Sequence, residues 1–193
     1  IETPYALSKF VHSAKMAFPK EYGDDVKFLV NIETETGHKN LEAMLNSDAI
    51  KGIHGVVLGR VDMCGSLGLT REDINSDEIF KIAKDILSKC KARGLECCIG
   101  GGVSAHSLPF FKNLPEGVLD RYETRKIIFD AKASLQDANA PQGILKAVGF
   151  ELLWLKNKRD FYGCIHKEDA KRIDMLEARY KKLIEEAGGQ TGY

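Results

Sequence analysis

Two short apolar runs, each with a carboxylate at or within three residues of its end, constrain this chain most. Val26-Lys27-Phe28-Leu29-Val30-Asn31-Ile32-Glu33 is rich in β-branched and large apolar residues and reads as a buried strand ending in an acid. Gly55-Val56-Val57-Leu58-Gly59 is a second such strand and leads into Arg60-Val61-Asp62. Between them, Leu41, Met44 and Leu45 mark one side of a short helix over 37–46. The spacing from Glu33 to Asp62 is close to the ~30 residues of one βαβ unit. Alternation of this kind builds a parallel sheet.

The same alternation runs on either side. Pro4 suits the first position of a helix, and Leu7, Phe10, Val11 and Ala14 carry its apolar face through residues 4–18. Ile1-Glu2-Thr3 then reads as the tail of a preceding strand. Ile79, Ile82, Ala83, Ile86, Leu87 and Cys90 recur at helical spacing, with Asn75 or Ser76 as the cap and Gly94 as the left-handed stop. Leu95 to Ile99 forms a further strand and ends at Gly100-Gly101-Gly102. A helix over 104–111 and a weaker strand over 117–122 follow. Beyond residue 140 the pattern is helical only. One helix is expected over 143–156 and a second over 167–187, separated at Phe161-Tyr162-Gly163. The expected division is 1–140 as the strand-and-helix part and 141–193 as a helical extension of the same domain.

Composition narrows the function classes. The 28 basic and 28 acidic residues cancel, which argues against a nucleic-acid protein working through bulk positive charge. No apolar run approaches the ~20 residues that span a bilayer, so no membrane role is expected. Five cysteines with no CxxC pair fit reduced, small apolar residues in the cytoplasm rather than a zinc ribbon or a thioredoxin-like motif. No GxGxxG opens a helix after a strand, and no Lys-Ser/Thr follows the triglycine, so dinucleotide and Walker-type sites are not indicated.

Glu33 and Asp62 are the leading candidates for chemistry. Each follows a parallel strand, and the C-terminal ends of such strands are where α/β sites assemble. Two hard carboxylate oxygens, with water and a substrate, suit Mg²⁺ or Mn²⁺. Helix capping or pairing with a base is the alternative. His106, Arg125 and the triglycine, whose backbone N–H groups can form an anion nest, weigh less. Glu2 and Glu123 also end strand candidates and read as surface or capping residues.

Ile32-Glu33-Thr34 with Asn40-Leu41, followed by Gly59-Arg60-Val61-Asp62-Met63 and Gly65-Ser66-Leu67-Gly68, resembles the two metal motifs of the HpcH/HpaI aldolase and citrate lyase β family, in order and in spacing. The resemblance covers roughly residues 1–130. It implies a (β/α)₈ TIM barrel, here lacking about its first three strands, with Ile1-Glu2-Thr3 as the fourth. It also implies a divalent-metal-dependent carbon–carbon lyase of aldolase type acting on a 2-oxo acid such as pyruvate. In it Glu33 and Asp62 hold the metal, Asn31 orients the substrate, and the main-chain N–H groups of Val61 and Asp62 grip its carboxylate. Arg60 stands where these aldolases often have Pro, and either sets a cation beside the substrate or salt-bridges at the rim. The general base and an Arg belong to the missing strands, so the chain is expected to be incomplete. An acyl-CoA lyase like citrate lyase β, and a non-catalytic barrel used for binding or assembly, are the alternatives. By analogy with related barrels, the C-terminal helices are expected to join subunits into a homo-oligomer.

Overall fold

The computed structural model describes residues 1–18 and 25–189, in two compact units, 1–148 and 149 onward. The first unit is built on a five-stranded sheet: β1 (Leu29–Ile32), β2 (Gly55–Gly59), β3 (Glu96–Gly100), β4 (Arg121–Glu123) and β5 (Ile128–Asp130), in that spatial order. β1 to β4 are parallel neighbours; β5 returns antiparallel to β4. Ile32 lies opposite Leu58, and Gly59 opposite Gly100, so the C-terminal ends of these strands share one edge.

Helices cover one face of the sheet. α1 (Pro4–Ala17) starts at Pro4, with the Thr3 side chain accepting from the Ala6 N–H, and buries Leu7, Val11 and Ala14. Two one-turn helices, α2 (Glu35–Lys39) and α3 (Leu41–Leu45), stand where one helix over 37–46 is expected. They break at Asn40, whose side-chain amide donates to the Glu2 carbonyl. α4 (Arg60–Ser66) leaves β2 without an intervening loop. α5 (Asp77–Ala92) buries Ile79, Ala83, Ile86, Leu87 and Cys90, the stripe that the periodicity predicts. Ser76 is its cap, and Gly94 adopts φ +74° just past its end. α6 (Leu108–Lys112), preceded by a tight turn over 105–107, replaces a single helix from 104. The core facing these helices includes Val30, Ile32, Val56, Leu58, Cys97 and Ile99, with Tyr122 stacked between Phe111 and Phe129 at 4.9 Å from each ring.

Several expectations are corrected. The strand from Val26 shortens to Leu29 because Phe28 pairs with His54: its N–H donates to His54 Nδ1, and its carbonyl accepts from the His54 N–H. Ile1-Glu2-Thr3 is not a strand, although the Ile1 nitrogen donates to the Asn31 carbonyl of β1. β4 begins at Arg121 rather than 117, since Gly117 turns with φ +76°. Asp120 then takes the Cys97 N–H on its carboxylate and gives its own N–H to the Cys97 carbonyl. The fifth strand is instead Ile128–Asp130, in a hairpin closed by the Thr124 N–H on the Ile127 carbonyl. Finally, the two C-terminal helices are one. α8 (Ala140–Glu186), which follows the single turn α7 (Ala131–Ser134), runs unbroken for 47 residues. A lone glycine in a helix costs only ~1 kcal/mol, so Gly163 does not stop it. Its buried residues Ala140, Ile144 and Ala147 fall in the first unit. No helix among the described residues is long and apolar enough to cross a membrane.

Candidate functional site

The C-terminal edge of the parallel strands gathers the predicted acids. Asn31 and Glu33 are two residues apart and share the sheet face opposite the helices. The Asn31 amide donates to Glu33 Oε2 at 2.9 Å. Glu33 lies flat across Gly59: a methyl group there would stand 2.6 Å from Glu33 Oε2 and 2.9 Å from its Cβ. Gly59 is therefore a floor that only hydrogen can make, and it fixes where the carboxylate rests. Three residues later Asp62 is exposed in the first turn of α4, where a carboxylate complements the positive end of the helix.

The loop between β1 and α2 is pinned from three sides. Thr34 accepts from the Gly37 N–H and donates to Glu2 Oε1 at 2.7 Å. The Glu35 N–H donates to Ser66 Oγ at the end of α4, also at 2.7 Å. These ties hold the segment bearing Glu33 against the helix bearing Asp62. Glu2, read as a surface or capping residue, thus anchors the site loop through Thr34.

Arg60 sits elsewhere than either expectation placed it. Its side chain is fully buried and makes no carboxylate contact. Nε donates to the Gly100 carbonyl, Nη1 to the Ile74 carbonyl and Asn75 Oδ1, and Nη2 to the Gly101 carbonyl and Ser107 Oγ. All five N–H groups are used by the protein itself. The Phe110 and Phe111 rings, packed edge to face on each other, lie 5.1 and 5.0 Å from the guanidinium carbon and make two cation–π contacts. Burial lowers its pKa to about 10. The sequence-based role for the Arg60 side chain in substrate binding is corrected: it is a tie beneath the edge, neither a rim salt bridge nor a cation offered to a ligand.

What Arg60 ties down is the triglycine. Gly101 and Gly102 adopt φ +81° and +64°. A methyl on Gly101 would meet the Val61 nitrogen at 2.7 Å and the Arg60 nitrogen at 2.8 Å; one on Gly102 would meet Ile74 at 2.6 Å. The glycines are thus a tight turn packed on the start of α4, where the Val61 N–H lies. On the far side, Glu123 lies against Gly100 as Glu33 lies against Gly59, its Cγ 3.4 Å from a methyl placed there. Glu33 and Glu123 therefore flank the paired glycines 59 and 100, and burial together with Glu123 pushes up the thiol of Cys98, two residues before Gly100 on β3. The sequence reading missed this use of Glu123; the signal was that both central strands end in glycine. His106 and Arg125 are exposed, in the turn before α6 and the β4–β5 hairpin.

Among the described residues no three His, Cys, Asp or Glu side chains converge as a ready-made metal cluster. The carboxylates at this edge include Glu33 and Asp62, with Glu123 against Gly100. Two carboxylates with room for water and substrate match the way Mg²⁺ is usually held. The braced orientation of Glu33 on its glycine floor fits that use.

A sequence profile of the HpcH/HpaI aldolase/citrate lyase family matches residues 2–104. Among solved structures, the chain is similar to an HpcH/HpaI aldolase/citrate lyase family protein from Burkholderia cenocepacia, at 18% identity and a TM-score of 0.47 over 58% of this chain and 51% of that one. It is also similar to RipC from Yersinia pestis, at 17% identity and 0.43 over 58% and 46%. A third is the citrate synthase SbnG, at 14% identity and 0.46 over 83% and 62%. The chain spans about half the length of the first two. No curated protein matches it in sequence.

Proposed function

The chain belongs to the HpcH/HpaI aldolase/citrate lyase family, and from that premise we propose that it is part of a divalent-metal-dependent carbon–carbon lyase acting on a 2-oxo acid. In this reading β1 to β4 form part of a (β/α)₈ barrel, and the edge carrying Glu33 and Asp62 is its active rim. Glu33 and Asp62 hold Mg²⁺ or Mn²⁺, Asn31 orients both Glu33 and the substrate, and the Val61 and Asp62 N–H groups bind the substrate carboxylate by charge-assisted hydrogen bonds. When bound, the cation supplies Lewis-acid stabilisation of the negative charge that develops on the substrate oxygen. The base that takes the hydroxyl proton belongs to segments outside these residues. The four buried thiols fit a reducing, cytoplasmic setting.

The observation that supports this reading most is the position of Glu33: it is held by Asn31 across the Gly59 floor, on the strand beside the one that leads to Asp62. The test is Mn²⁺ binding followed by electron paramagnetic resonance, with oxaloacetate decarboxylation as a second readout. Glu33→Gln and Asp62→Asn should each weaken Mn²⁺ binding by at least about tenfold. Unchanged binding in both variants would sink the metal assignment. Metal binding without turnover, in a protein that carries its family's full length, would favour the non-catalytic barrel; turnover only of an acyl-CoA would favour the citrate-lyase-like alternative.

A further inference from the structure

α8 carries an apolar seam that the fold of a single chain leaves in water. Leu152, Leu155, Tyr162, Ile173, Leu176 and Leu183 are each 43–58% exposed. With Arg159, His166, Asp169 and Tyr180 they recur in strict alternation of three and four residues, from Leu152 to Leu183. That is the 3.5-residue repeat of a coiled coil, distinct from the 3.6 period of a helix that merely lies on a core. The seam has three polar members, all in its middle: Arg159, His166 and Asp169. Aromatic residues such as Phe150 and Trp154 lie on other faces of the helix.

The polar members identify the partner. Centred on Cys164, Arg159 and Asp169 lie equally far on either side, as do Tyr162 and His166, Leu155 and Ile173, and Leu152 and Leu176. A second copy laid antiparallel about that centre therefore sets Arg159 against Asp169 twice, Tyr162 against His166 twice, and aliphatic against aliphatic outside them. In one chain Arg159 pairs with Asp160, its exposed neighbour. On the flank, Glu151 would face Arg179 of the second copy, while Lys158 would face Arg172, a like-charge contact at the rim. The parallel arrangement in register gains Glu151–Lys156 and Arg172–Glu177 pairs at its exposed flanks, worth ~0–1 kcal/mol each. It also stacks Arg159 on Arg159 and Asp169 on Asp169 inside the seam, where like charges cost several-fold more. The seam decides the orientation.

We propose that α8 pairs with α8 of a second copy of this chain as an antiparallel two-stranded coiled coil, with the Arg159–Asp169 layers fixing its register. This goes beyond the expected homo-oligomer by assigning orientation and register, and it stands apart from the chemistry proposed for the sheet edge. The test uses the whole chain with Cys164→Ser, which removes the exposed thiol. Sedimentation should give a dimer. Leu152→Cys alone and Leu176→Cys alone should not cross-link to themselves under mild oxidation, whereas a mixture of the two should give a disulfide-linked heterodimer. Asp169→Arg should weaken dimerisation by at least about tenfold, and adding Arg159→Asp should restore it. Because all five positions are exposed, none of these variants threatens the fold of the first unit. Self-cross-linking of either cysteine variant would overturn the orientation. A monomer at all soluble concentrations, or α8 binding phosphatidylcholine vesicles instead of itself, would overturn the pairing.

Discussion

The Arg60 guanidinium donates a 3.0 Å hydrogen bond to the carbonyl of Gly101, whose own backbone rests on the Arg60 and Val61 nitrogens. Each residue thus positions the other: the side chain fixes the turn, and the turn closes over the start of the helix from which the side chain leaves. A buried cation satisfied only by carbonyls, a hydroxyl, an amide and two rings has no substitute among other residues. Arg60→Met should therefore destabilise the protein by about 3 kcal/mol or more, since it strands buried acceptors. Arg60→Lys should recover little, because an ammonium cannot reproduce the planar fork. Urea unfolding followed by circular dichroism measures both. A loss under ~1 kcal/mol for Met would show that the tie is dispensable.

The glycines near the site should separate by what stands beside them. Gly65→Ala, in α4 with nothing near its missing methyl, should be neutral or stabilise by ~0.5–1 kcal/mol. Gly59→Ala should displace Glu33 and weaken Mn²⁺ binding, and because Glu33 Cβ itself would stand 2.9 Å away, the end of β1 must shift along with the carboxylate. Gly101→Ala combines a φ of +81° with backbone contacts that cannot yield, so it should cost ~1–3 kcal/mol in strain at least. Thermal melts and Mn²⁺ titration of the three variants check this order; Gly59→Ala binding Mn²⁺ like the parent would refute the floor.

Thiol chemistry gives a sharper readout of burial. Of the five cysteines only Cys164 is exposed. Ellman's reagent at neutral pH should label one thiol quickly and the other four only after denaturation. Two fast thiols would place one of the four at the surface.

The same burial predicts an alkaline limb in stability. Desolvation holds Cys90 and Cys97 protonated up to about 12 in the folded chain, against ~8.5 for an unfolded thiol. Between those values the unfolded chain has the fewer bound protons, so stability falls as pH rises, by up to ~1.4 kcal/mol per pH unit for each thiol. Replacing both with alanine should flatten the decline above pH ~9. A decline of unchanged slope in that variant would assign it to other groups, such as Tyr122, whose hydroxyl burial also pushes up.

Much of this fold was legible because periodicity and capping are local. The α5 stripe, its Ser76 cap, Gly94 and the β2 run appear where the residues alone put them. What was not legible depended on contacts distant in sequence. No local signal tells that His54 will take the Phe28 N–H, or that Asp120 will bridge to Cys97 and delay β4. Phe161-Tyr162-Gly163 looks like a break only until the cost of one glycine is weighed against the helix on both sides. That Glu33 and Asp62 stand just past the ends of β1 and β2 was readable from the two apolar runs. The burial of Arg60 was not, because its partners come from Asn75, Gly100, Gly101 and Ser107, which only the packed sheet brings together.

The β4–β5 hairpin has a consequence for the sheet as a whole. β5 is three residues long, its direction reverses that of its neighbour, and its middle ring lies at 9° to Tyr122. It occupies the row of amides and carbonyls along the outer side of β4 and ends the ladder there. So short a guard, anchored chiefly by one flat ring, holds that seat against other molecules yet is light enough to be displaced. Any further parallel strand seeking to extend the sheet, whether from the same barrel or from a neighbour, must first unseat Phe129.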